Sequence, residues 1–136
     1  MDEGLLQAWR DTDYRVRLSR GGWATIRIDA PLPAALVDGV GARGWGFITA
    51  WHPHSRPRAL FANRAAQRSL LADLRALPGV AVAPAVGVGA SGWREPSLFA
   101  VGIGVSRLDE LAARYGQSAY VHGSVRSRAA LRILEP

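Results

Sequence analysis

The run from Trp45 to Asn63 constrains this chain more than any other stretch. Phe47-Ile48-Thr49-Ala50-Trp51 shows no polar alternation, so it predicts a central strand covered on both faces. Pro53 and Pro57 end that strand, and His52, His54, Ser55, Arg56 and Arg58 fill the corner between them and the next element. From about Leu60 to Leu77 the pattern becomes helical. Asn63, Ala66, Leu70, Leu74 and Leu77 share one stripe, with Arg64, Arg68 and Arg75 on the opposite face. Pro78-Gly79 then stops the helix. A buried strand that turns into an amphipathic helix through a polar, proline-rich corner predicts a sheet with a helix laid over it.

The remaining elements follow in chain order. Asp2 can cap a short helix that puts Leu5, Ala8 and Trp9 on one face. Tyr14 to Leu18 and Ala24 to Ile28 alternate around Ser19-Arg20-Gly21-Gly22, which predicts a β-hairpin. Pro31 to Val37 can hold a short helix. Val80 to Val86 and Ser97 to Ile103 read as strands, with Gly87 to Pro96 as a loop between them. Ser106 to Asp109 resembles a capping box opening a second helix, whose buried face is Leu108, Leu111, Ala112 and Tyr115 and whose C′ residue is Gly116. Ser118 to His122 and Leu131 to Leu134 are further strands.

From Trp45 to His122 the order is β-α-β-β-α-β, so the expected class is α+β with a ferredoxin-like antiparallel core. Right-handed crossovers would place the first core strand beside the third, and the last on its other side. The N-terminal helix and hairpin and the C-terminal strand would extend or flank that sheet, with residues 1–136 as one domain. This topology brings distant residues to one edge. Thr49, His52, His54, Ser55, Asn63, Trp93, Glu95, Ser97 and Gln117 are expected to share a rim, the arrangement a ligand site needs.

Thr49-Ala50-Trp51-His52-Pro53-His54-Ser55, Asn63, Gly92-Trp93-Arg94-Glu95-Pro96-Ser97 and Tyr115-Gly116-Gln117 together resemble a bacterial domain-of-unknown-function family, number thirty-two ninety-three. Tyr14-Arg15-Val16 after the first helix fits the same pattern. The resemblance implies T-A-W-N-P where this chain has His52, and F-G-Q where it has Tyr115. An amide at position 52 argues against an obligatory metal ligand, whereas either side chain offers a hydrogen bond. The family implies no reaction.

The chemistry of the rim leaves three functional readings open. In the first, a small-molecule or regulatory module holds a small anionic ligand, with Arg56, Arg58 and the helix start supplying positive charge and Trp93 and Gln117 shaping the pocket. In the second, Glu95 beside Trp93 is desolvated and acts as general acid or base, while His52, Asn63 or Gln117 orients substrate. A salt bridge from Glu95 to Arg94, Arg56 or Arg58 that braces the loop is the plainer account of that residue. The third reading follows from a net charge of +6 carried entirely by arginine, which suits nucleic acid. The arginines are scattered, however, and the RNP1 aromatic signature is missing from Ser97 to Gly102.

Other chemistries find less support. Gly87 to Gly92 spells G-x-G-x-x-G but precedes a strand rather than a helix, so a flexible hairpin loop is expected there. His122 ends the last core strand, too far from His52 and His54 to complete a metal site, and neither metal nor cofactor is expected. The chain has no cysteine and its first residues are acidic, which places the expectation in the cytoplasm, with no membrane partner. An exposed edge strand would allow a homodimer as well as a monomer.

Overall fold

A computed structural model describes residues 2–134. Asp2 accepts a hydrogen bond from Leu5 N–H and caps helix α1, Glu3–Arg10. Strands β1, Asp13–Arg17, and β2, Trp23–Ile26, form the hairpin, followed by helix α2, Ala34–Val40. Strand β3, Trp45–Ile48, leads through a tight turn at Pro53–Ser55 into α3, Leu60–Arg75. Strands β4, Ala81–Val88, and β5, Arg94–Val101, form a second hairpin. Helix α4, Val105–Arg114, and strands β6, Ala119–Gly123, and β7, Ala130–Ile133, complete the chain.

All seven strands join one antiparallel sheet in the order β2-β1-β4-β5-β3-β6-β7. As the crossover argument required, β3 lies between β5 and β6. The N-terminal hairpin extends the sheet beyond β4, and β7 extends it beyond β6. The sheet is curled. Tyr14 of β1 and Phe47 of β3 meet edge to face with ring centroids 5.1 Å apart. Two strands lie between them, and three strand spacings on a flat sheet would be about 14 Å.

Both faces of the central strands are buried. On one face, Ile48, Leu98, Ala100 and Tyr120 pack under Leu70 and Leu74 of α3 and Leu108 and Leu111 of α4. On the other, Tyr14, Val16, Trp45, Phe47 and Phe99 pack with Leu36 and Val40 of α2, and Trp9 joins them from α1. Gly46 lets α4 approach the sheet, because a Cβ there would lie 2.6 Å from a Leu108 methyl. No described helix is long and apolar enough to cross a membrane.

Four sequence expectations change. The central strand expected over Phe47 to Trp51 runs from Trp45 to Ile48, so it ends well before Pro53. Helix α4 starts one residue before the proposed capping box, with Gly104 as N-cap and no side-chain cap bond. The short helix expected from Pro31 instead begins at Ala34, after Pro33 at its N-cap. The expected loop from Gly87 to Pro96 shrinks to residues 89–93, because β4 and β5 run further than their prolines suggested. Pro84 pairs with Leu98 just past the end of the β1 register, and Pro96 pairs with Val86 just past the end of the β3 register. Each proline therefore sits where the strand has a neighbour on one side only, and the missing N–H breaks no ladder.

Replacing Gly46 by Ala is expected to lower stability by about 1–3 kcal/mol through overpacking against Leu108. The cost should be smaller in a Leu108→Ala background, as urea unfolding of the double-mutant cycle would show.

Candidate functional site

Past Ile48 the chain leaves the sheet register, and its backbone groups need other partners. Side chains supply them. Thr49 Oγ1 donates to the Pro96 carbonyl at 2.7 Å and accepts from Trp51 N–H at 3.1 Å, tying the end of β3 to β5. Gln67 Oε1 accepts from Ala50 N–H at 2.8 Å, and its amide donates to Pro96 O at 3.3 Å. Asn63, one helical turn earlier on the same face of α3, is 1 % exposed. Its Oδ1 accepts from His52 N–H and from Arg58 Nε, both at 3.0 Å. Its amide reaches Arg58 O and His52 Nδ1, both at 3.2 Å. Asn63 is saturated.

His52 takes a left-handed backbone, φ 47°, a conformation that Asn and His tolerate better than most residues. Its Nδ1 accepts Arg58 N–H at 3.2 Å and faces the Asn63 amide, an acceptor role that leaves a ring proton on Nε2. His54 and Ser55 are also left-handed, and the turn is pinned from α4. His54 N–H donates to Gly116 O at 2.7 Å, and Gln117 Nε2 donates to Trp51 O at 3.0 Å. Gly116 ends α4 at φ 68°, and a Cβ there would lie 2.7 Å from Pro53 Cβ. The corner and the end of α4 can meet only at a glycine.

Across the sheet, Tyr14, Gly87 and Glu95 occupy one row of the β1-β4-β5 ladder. Gly87 leaves the space between the tyrosine and the carboxylate open, since a Cβ there would make only ordinary contacts. Trp93 rises from the tight turn closed by Gly89 N–H to Trp93 O. Helix α1 closes the opposite side with Leu5, Ala8 and Trp9. The result is a cavity of about 800 Å3, bounded by α1, the β4-β5 turn, the corner after β3 and Gln117.

Thr49, His52, Ser55, Trp93, Glu95, Ser97 and Gln117 line it, and His54, Arg56, Arg58 and Asn63 do not. Arg58 lies behind the wall, with Nη2 on Ala50 O at 2.9 Å and Nε on Asn63. Arg56 and His54 are exposed, and the His54 ring lies against the end of α4 at Gly116. Ser97 is buried and donates to Glu95 O at 3.1 Å. Trp51, expected in the core, is only half-buried and forms part of the cavity wall, whereas Trp45 is core. His122 pairs with Gly46, at the end of β3 away from the corner.

Residues 48–120 match the family described as Protein of unknown function (DUF3293). The chain belongs to that family. No curated protein and no solved structure matches it. The DUF3293 match runs from the end of β3 into β6, so it contains the corner, Glu95 and Gln117. The cavity wall built by α1 and β1 lies outside the matched residues.

Glu95 carries the distinctive electrostatics of this cavity. Burial pushes its carboxyl up to about 7. No donor among the described residues reaches the carboxylate, so the bracing salt bridge expected to Arg94, Arg56 or Arg58 is not formed. Tyr14, beside it in the row, is 3 % exposed, and burial raises its phenol well above the ordinary tyrosine range. The Tyr14 hydroxyl donates to Trp9 O, which joins β1 to α1. Trp9, Tyr14 and Gln67 were not among the expected site residues. The only sequence signal for Gln67 was its i+4 spacing from Asn63.

Because the Glu95 carboxyl is raised when folded, the folded state holds its proton between about pH 4.5 and pH 7 while the unfolded chain does not. Stability should therefore fall as pH rises through that window, by about 3 kcal/mol from this group. Glu95→Gln should remove that fall, so urea unfolding at pH 4 and pH 8.5 should show the variant gaining on the native protein at the higher pH.

Proposed function

We propose that this chain is a small-molecule-binding protein whose site is the cavity between α1, the β4-β5 turn and the corner after β3. The observation that carries this reading is the cavity itself. Its volume of about 800 Å3 falls in the range of ligand pockets, and its walls are mostly apolar with a few convergent polar groups. Ser97, Gln117 Oε1 and the Nε2–H of His52 can orient a ligand, and Glu95 is its half-buried ionisable group. The anionic-ligand version loses its basis in Arg56 and Arg58, since neither lines the cavity. We read the scaffold from β3 to β6 as a ferredoxin-like unit, a reading supported by the order β4-β5-β3-β6 and its antiparallel pairings.

A second reading, a small enzyme, is favoured by Glu95. A carboxyl raised to about 7, in a cleft and without a bonded partner, has the acidity that general acid–base catalysis uses near neutral pH.

The test is a thermal-shift screen of the full chain against small-molecule libraries, repeated on Gly87→Val. That substitution suits a strand and fills the gap between Tyr14 and Glu95. Ligands present at 100 times their dissociation constant should add about 2.7 kcal/mol to the native protein and nothing to the variant. Hits that Gly87→Val retains, or no hits at all, would overturn the assignment. Turnover of a hit that Glu95→Gln abolishes while still binding it would select the enzyme reading.

A further inference from the structure

The cavity wall runs against the charge of the chain. Arginine and lysine positions number 17 against 11 acidic ones, yet no arginine lines the cavity. Among the described residues, the two ionisable acids that do are Glu95, within the wall, and Asp11, at the exposed end of α1. Around them stand the rings of Trp9, Tyr14, Phe47, Trp51 and Trp93. Tyr14 stacks on Trp9 at 6.4 Å between centroids and meets Phe47 edge-on at 5.1 Å, so Trp9, Tyr14 and Phe47 form one continuous stretch of the wall.

This composition discriminates between ligands by charge. Aromatic faces are electronegative and attract cations, the more strongly when water is excluded. A carboxylate among them adds a direct counter-charge, and its desolvation cost falls once a cation sits beside it. An anion would meet the same carboxylate and ring faces as repulsion, with no arginine to offset them. Gln7 already donates to Asp11 at 2.8 Å, which leaves Glu95 as the carboxylate without a partner.

Resting on the reading of the cavity as a ligand site, we propose that its ligand is an organic cation. A protonated or quaternary amine lies beside Glu95, and an aromatic or branched apolar body fills the space between Trp9, Trp51 and Trp93. Glu95 sets the charge preference and the rings set the body. Binding then couples to the ionisation of Glu95. The other titratable groups on the same cavity are Tyr14 from β1, Asp11 from the end of α1 and His52 from the corner, and Arg94 adjoins Glu95 on β5.

Calorimetric titration of the full chain with 2-phenylethylamine, 2-phenylethanol and phenylacetate isolates the charge, because the three share one body. The amine should bind at least about tenfold more tightly than the alcohol, a difference of about 1.4 kcal/mol, and phenylacetate least well. Glu95→Gln should abolish the amine's advantage over the alcohol. With the carboxyl near 7, the amine should bind roughly tenfold more weakly at pH 6 than at pH 8, and the alcohol equally at both.

Equal or tighter binding of the alcohol or phenylacetate would overturn the cation inference and leave the cavity as a site. An amine affinity untouched by Glu95→Gln would do the same. If none of the three binds while the library screen yields only uncharged or anionic ligands sensitive to Gly87→Val, the cation inference alone is wrong. If the screen is also empty, both readings fall.

Discussion

Everything at this end of the molecule depends on how the backbone is satisfied where β3 leaves the sheet. Its neighbours stop pairing at Ile48, while the chain must still turn, cross the end of the sheet and start α3. Unpaired backbone groups there would each cost on the order of 1–3 kcal/mol. Asn63 and Gln67 project from one face of α3 to take up those groups, and Gln117 does the same from the end of α4. The three amides hold two helices and the central strand in one relative position. That bracing fixes the corner that bounds one side of the cavity.

The polar residues at this edge therefore divide into two sets. Asn63, Arg58 and the Nδ1 side of His52 are engaged with the protein itself, and their polarity reports local folding. Glu95 is different. It stands in a row with a buried tyrosine and a glycine, its carboxylate without a bonded partner among the described residues. A carboxylate kept in such surroundings costs stability as pH rises toward neutral. DUF3293 membership locates both sets within residues 48–120, while Trp9 and Tyr14, which complete the aromatic wall, come from the chain before it.

Much of this was legible in the sequence. The unalternating run at Phe47, the stripe from Asn63 to Leu77 and the glycine at 116 gave the central strand, the long helix and the close of α4. The meeting of Thr49, His52, Glu95 and Gln117 at one edge followed from element order alone. What was hidden were consequences of pairing partners. Pro96 looked like a loop residue because nothing in the sequence says that β3 ends before reaching it. Arg58 looked like an anion ligand because its inward bond to Ala50 O depends on how tightly the corner folds. The wall of α1 and β1 was invisible because it depends on β1 pairing with β4, a contact between residues roughly seventy positions apart.

The most direct measurement is the titration of the Glu95 side-chain carboxyl by 13C NMR, assigned by its disappearance in Glu95→Gln. A desolvated, unpaired carboxylate in the cavity predicts a midpoint near 7. A midpoint in the ordinary glutamate range, at about 4.3, would mean that Glu95 is solvated or paired, and the division between bracing residues and an unpaired, desolvated carboxylate would not hold.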